Sequence, residues 1–183
     1  AAPQGSGAEA PRTASVRSGA LRTAHEYHSG VEELMGPPAL VVIGGLPATG
    51  KTTIGRPAAR EMRAAYLRID TIEGAILRGE GRSGLPRGDE GYVIGYELAS
   101  DQLDLGLDVV VECVNPIATT RDAWLAVGDR ARALVIEVEL VCSDVIEHRR
   151  RLETREIDVV GITNPRWREV IDRDYERWER DRL

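Results

Sequence analysis

The residues with the clearest chemistry run from Gly45 to Thr52, Gly-Leu-Pro-Ala-Thr-Gly-Lys-Thr, and they fit G-x-x-x-x-G-K-[ST] without a mismatch. Glycines at both ends let backbone N–H groups turn inward around phosphate oxygens. A helix opening at the loop's end would add the positive end of its dipole to the same oxygens. In such a cradle Gly45, Ala48, Thr49, Gly50 and Thr53 bind the phosphates, Lys51 reaches the outer ones, and the Thr52 hydroxyl ligates magnesium. The expected ligand is therefore a nucleoside triphosphate, ATP with Mg2+. Lys51 is also the only lysine among 24 basic residues; all the others are Arg. A compact ammonium on a flexible stem stands where phosphate chemistry wants one. We expect it to be exposed between loop and helix, its charge needed only when phosphates arrive.

The same count excludes one class of nucleotide protein. A guanine-specific GTPase carries N-K-x-D, which a chain without a second lysine cannot hold. A motor with a helical lid domain would need more than 183 residues.

The elements that must hold the loop follow from hydrophobic pattern. Residues 39–44, ALVVIG, form a continuous apolar run, as expected of a parallel strand buried on both faces. A helix is expected from about Gly50 to Ala64, with a kink or irregular turn at Gly55 and Pro57 because proline removes a helical hydrogen bond. Residues 65–69 read as a strand ending at Asp70, residues 71–79 as a helix, and residues 79–91, with five glycines, as a loop. Further helices are expected at 90–105, 119–132, from Asp144 to about Glu153, and from Pro165 to Arg182. Strands are expected at 108–113 and 133–142. Asp144 and Glu147 resemble a capping pair. Alternating strands and helices imply one parallel sheet with helices on both faces. Residues 1–19 read as a flexible arm, residues 20–38 as an N-terminal extension, and residues 39–183 as one domain.

Bulk properties narrow the partners. The formal net charge is -6, which supplies no chain-wide basic field for nucleic acid. No apolar run approaches the ~20 residues that span a bilayer. Ala1 to Gly19 lack the apolar centre of a secretory signal, and Cys113 and Cys142 suggest neither a disulfide framework nor a zinc site. These readings lead to an expectation of a cytoplasmic protein. His25 and His28 have metal-compatible spacing but no convincing companion. Trp124, Trp167 and Trp178 fall among apolar helix positions and read as core anchors.

Several segments together resemble the chloramphenicol-phosphotransferase-like kinases, P-loop proteins akin to zeta toxins, adenylylsulfate kinases and polynucleotide kinases. They are IGGLPATGKTT, YLRIDTIEGAI, GYVIGYELASDQLDLGLDVVVECVNPIATTRDAW, VELVCSDVIEHRRRLETR and NPRWREVIDRDYERW, and they cover roughly residues 39 to 180. The resemblance implies a three-layer α/β/α fold with strand order 2-3-1-4-5. The family's further strand after the last helix has no counterpart before Leu183. By its match to the family motif, Asp70 would be the base that orients or deprotonates the acceptor hydroxyl, and its carboxylate must then face the cleft near Lys51. The bland alternative makes Asp70 the N-cap of the helix over 71–79.

Glu112, closing an apolar strand, resembles a Walker B carboxylate, able to hold magnesium or contact the acceptor. Arg149, Arg150, Arg151 and Arg155 occupy the place of the kinase lid. Arg151 and Arg155, four apart, are favoured to stabilise the transferring group; the alternative is a solvated helix paired with Glu147 and Glu153. Arg121, Tyr92 and Tyr96 are the remaining candidates for acceptor binding. The function so implied is ATP- and Mg-dependent transfer of the γ-phosphoryl group to a hydroxyl of a small molecule, an antibiotic among the candidates. A nucleic-acid end kinase and a non-catalytic nucleotide-dependent regulator are the alternatives.

Overall fold

The structure is a computed structural model that describes residues 36–86 and 88–178. The chain divides between Gly36 and Pro37, so nearly everything described belongs to the second part. His25, His28 and the N-terminal arm and extension lie outside the described residues, apart from the last residues of the extension.

Strand β1 (Ala39–Gly44) runs into the Gly-rich loop and helix α1 (Lys51–Met62). Strand β2 (Ala65–Arg68) passes directly into α2 (Ile69–Gly79), and α3 (Glu90–Asp104) follows a loop. Strand β3 (Val109–Glu112), α4 (Ala118–Ala131) and β4 (Leu134–Glu139) complete the sheet region. Helices α5 (Val145–Thr154) and α6 (Trp167–Ile171) close the described chain.

All pairings are parallel, in the order β2-β3-β1-β4. Four strands of the expected order are thus present, and the described residues contain no fifth. Side chains alternate across β1, so its two faces feed two cores. Leu40 and Val42 join Val109 and Val111 of β3, Ala99 and Leu103 of α3, and Trp124 and Val127 of α4. Val41 and Ile43 face the other way, toward Val110 and Ala59 of α1. Helices therefore cover both faces, giving three layers. Trp124 is fully buried, as a core anchor should be.

The register brings Ile43 of β1 level with Glu112 and Val138. The strands thus end together at one edge, where open α/β sheets place their ligands.

Three local expectations need correction. Helix α1 is helical throughout Lys51–Met62 with Pro57 inside it, so no irregular turn interrupts it. Gly55 is buried, and a Cβ there would press on the Tyr66 ring and the Ile43 methyl, so the glycine lets α1 lie close to the sheet. Helix α2 begins at Ile69, placing Asp70 inside its first turn; Arg68 occupies the N-cap, and no side chain caps the helix. The Asp70 capping alternative therefore fails.

The long last helix is not formed over the described residues either. Among the described residues of that segment only Trp167–Ile171 is helical, and the chain beyond Asp172 is irregular through Trp178. There the Glu176 N–H donates to Pro116 O at 2.8 Å. The Glu176 carboxylate accepts from Ala118 N at 2.5 Å and from Arg121 at 3.4 Å. Tertiary hydrogen bonds to the start of α4 replace the helical ladder.

Candidate functional site

The loop after β1 adopts the conformation its glycines were expected to allow. Gly45 and Gly50 have φ of 141° and 105°, and Ala48 joins them in the left-handed region at 66°. A Cβ on Gly45 would collide with the Leu140 carbonyl and approach the Thr49 hydroxyl, so only glycine fits. Gly45 N–H donates to Val114 O at 3.0 Å, fastening the loop to the segment after β3. The Thr49 hydroxyl donates to Leu46 O at 2.9 Å. On the far side His148 of α5 places Nε2 2.8 Å from Pro47 O and rests edge-on against Trp167.

Lys51 departs from expectation. It is 9% exposed, and its ammonium donates to Gly45 O at 2.7 Å and Leu46 O at 3.0 Å. Burial pulls its pKa below the ordinary lysine value, while the Asp70 and Glu112 carboxylates oppose that shift.

One residue on, the Thr52 hydroxyl donates to Glu112 Oε1 at 2.5 Å. The other Glu112 oxygen accepts from the Tyr66 hydroxyl. Glu112 is 3% exposed, and Arg68 lies 3.6 Å away as its only salt-bridge partner among the described residues. A hydroxyl against a buried carboxylate, at the foot of a phosphate loop, is a donor set that suits a hard cation.

Arg68, at the end of β2, is a hub. It also lies 3.6 Å from Asp70 and 2.6 Å from Asp158, which in turn binds Arg56 of α1 at 2.6 Å. Arg68 and Arg56 hold the Asp158 carboxyl down at about 2.

Two cavities open around these residues. The larger, about 840 Å³, is lined by Ala48 to Ile54, Arg68, Arg151 and the segment Thr154 to Asp158. The smaller, about 310 Å³, is lined by Asp70 and Glu73 of α2, the loop Leu85, Pro86, Gly88 and Asp89, Tyr92, residues near Pro116, and Ile162, Thr163, Pro165 and Arg173. Lys51 and Arg155 line both. Asp70 and Tyr92 thus stand on the smaller cavity, and Ala48, Thr49, Gly50, Thr52, Thr53 and Arg151 on the larger.

The remaining expected residues are placed elsewhere. Arg121 is 4% exposed, pairs with Glu176, and stacks on Trp178 with its guanidinium carbon 5.4 Å from the ring centroid. It anchors the C-terminal segment and is absent from both cavity walls. Tyr96 packs edge-on against Trp124 at 4.4 Å and directs its hydroxyl to Thr120 O at 3.4 Å, and it too lines neither cavity. Arg151 and Arg155 do not share a helix face, because Arg155 has left α5 with extended ψ of 139°. Its Nε donates to Asn164 Oδ1 at 2.6 Å, whereas Arg151 is bound to Glu147 at 2.8 Å. Asp144 caps α5 as expected, accepting from Ile146 N and Glu147 N. Glu147 serves Arg150 and Arg151 instead of reciprocating.

Glu73, Arg68, Tyr66, Asp158, His148 and Arg173 were missed by the sequence reading. Arg68 and Glu73 flank Asp70 at short spacing and were the most findable. Asp158 and Arg173 lie in irregular segments that carry no periodic signal.

No family model matches the chain, and no curated protein matches it significantly. Solved structures do resemble it. An inferred kinase from Chloroflexus aurantiacus superposes with a TM-score of 0.59 at 25% identity, over 66% of each chain. A sugar kinase from a Janibacter species gives 0.55 at 22%, over 79% of this chain and 82% of its own. The Mycobacterium tuberculosis APS kinase, solved with AMPPNP and APS, gives 0.57 at 20%, over 79% of this chain and 86% of its own.

Proposed function

We propose that this chain, whose fold is that of the P-loop kinases, transfers the γ-phosphoryl group of ATP to a hydroxyl of a small molecule. The observation that carries the reading is the meeting of two cavities at Lys51 and Arg155. The larger is walled by the phosphate loop and suits the donor. The smaller, with Asp70 on its wall, suits the acceptor, and its volume lies at the low end for small-molecule sites. A phosphoryl group crossing from one to the other would pass between two cations.

In the step itself the acceptor oxygen attacks the γ-phosphorus, and the bond from that phosphorus to the bridging oxygen breaks. ADP leaves with the electron pair, and the acceptor's proton goes to Asp70. Lys51 and Arg155 offset charge on the transferring oxygens, which is where most of the catalysis in such reactions comes from. Arg68 lies 3.6 Å from Asp70 and steadies its carboxylate. Thr52 and Glu112 would hold magnesium, which when bound would neutralise charge on the outer phosphates.

The test is an acceptor screen with labelled ATP, followed by Asp70→Asn. The variant keeps size and loses the proton acceptor. Transfer should drop by ~10²-fold or more while nucleotide affinity persists. ATP binding with no phosphorylated product from any acceptor would establish the non-catalytic regulator instead.

A further inference from the structure

Resting on the phosphotransferase reading, we propose that the acceptor is a small hydroxylated amine, an amino sugar in class, whose ammonium is taken by Glu73. The cavity wall away from the two shared cations is acidic. Asp70 and Glu73 lie three residues apart in α2, and both line the cavity, with Asp89 joining them from the loop before α3. Among the described residues, Arg173 is the one basic side chain lining it beyond Lys51 and Arg155. An anionic acceptor would therefore enter against carboxylates, which is an effective way to reject it.

Glu73 is the residue whose situation asks for a ligand. Its side chain lies across Gly91, at the start of α3, where any Cβ would run into it. It makes no hydrogen bond or close ion pair among the described residues, although Arg78, Arg82 and Arg155 all find partners. The charges acting on it are Asp70 and Glu90, which repel, and Arg173, which attracts. Burial first, and then the two neighbouring carboxylates, raise its pKa to about 7, with Arg173 opposing. A carboxyl so placed is costly without a donor, and an ammonium supplies the strongest one available.

Geometry then limits the acceptor. Residues three apart on a helix face have Cβ atoms roughly 5–6 Å apart. A hydroxyl delivered to Asp70 and an ammonium held by Glu73 must span a similar distance, as a ring hydroxyl and the amine of an amino sugar do. The ammonium takes no part in bond making.

The test uses labelled ATP with glucosamine, glucose and glucuronate as a matched set, together with titration of glucosamine into the AMPPNP-bound protein. Glucosamine should exceed glucose by about tenfold or more in kcat/KM, the scale of a hydrogen bond to a charged group, with glucuronate poorest. In Glu73→Gln the amine-over-neutral ratio should collapse to about one, and Asp89→Asn should lower it in the same direction. Equal or better use of glucose or glucuronate, or a ratio that survives Glu73→Gln, overturns the inference. So does absence of both product and binding with glucosamine. In that event, product from any other acceptor in the wider screen leaves phosphotransfer standing, and no product from any acceptor removes both.

Discussion

The Lys51 ammonium spends its donors on the carbonyls of Gly45 and Leu46, inside the loop it was expected to leave. The side chain therefore has two tasks, holding the loop and meeting phosphate. Leu46 O keeps the Thr49 hydroxyl as a donor if Lys51 is lost, so part of the loop's bonding survives. Lys51→Met should abolish transfer, by ~10²-fold or more on the scale of other charge-stabilising groups. It should also weaken nucleotide binding and cost about 1 kcal/mol of stability in urea unfolding, the net worth of a hydrogen bond. Unchanged nucleotide affinity in a folded variant would remove the loop from the site.

At the level of elements, α5 delivers its arginines unequally. Arg151 lies within the helix, bound to Glu147, and faces the larger cavity alone. Arg155 lies just past the helix end, where the chain turns extended, and faces both cavities. We predict that Arg155→Ala lowers kcat by ~10²-fold with little change in affinity for a fluorescent ATP analogue, since its charge matters most in the transition state. Arg151→Ala should alter either quantity by only about threefold, since an exposed helical ion pair is worth little. Equal effects would assign both arginines the same part in transfer and overturn the distinction.

The contrast also shows what the sequence could reveal. The apolar runs at 39–44 and 109–112 announce buried strands because both faces are covered, and the phosphate loop announces itself by spacing. Glu112 was legible because it closes such a strand, whereas Asp70, read as a strand end, lies in the first turn of α2. The departure of Arg155 from its helix depends on Asn164, nine residues on, which bonds its side chain and carbonyl. The irregular course of residues 172–178 depends on Arg121 and Pro116, more than fifty residues back. Local pattern holds no trace of either.

Across the whole molecule, Glu73 gives folding a pH dependence of defined sign. The folded chain holds this proton to about pH 7, whereas an unfolded glutamate releases it near 4.5. The folded state binds more protons between those values, so the group's contribution is complete below 4.5 and is lost as pH rises through 7. Partial solvent contact trims the effect, leaving a loss of about 1–2 kcal/mol between pH 5 and pH 8. Asp158, held at about 2, acts only in acid below that window. Thermal unfolding across this range should show the slope in the native chain and a flatter one in Glu73→Gln; identical slopes would place Glu73 in open water.

The two cavities also differ in what builds them. The larger rests on the phosphate loop and the first turns of α1, rooted in the sheet. Much of the smaller is walled by residues of connecting segments, Leu85, Pro86, Gly88 and Asp89 on one side and Ile162, Thr163 and Pro165 on the other, and a parallel bridge joins Gly84 to Ile162 beside them. Those segments contribute no residue to either buried core cluster. Substitutions there can accumulate at little cost to folding, so on the proposed phosphotransferase reading descendants of this chain could exchange one acceptor for another while inheriting the donor machinery intact.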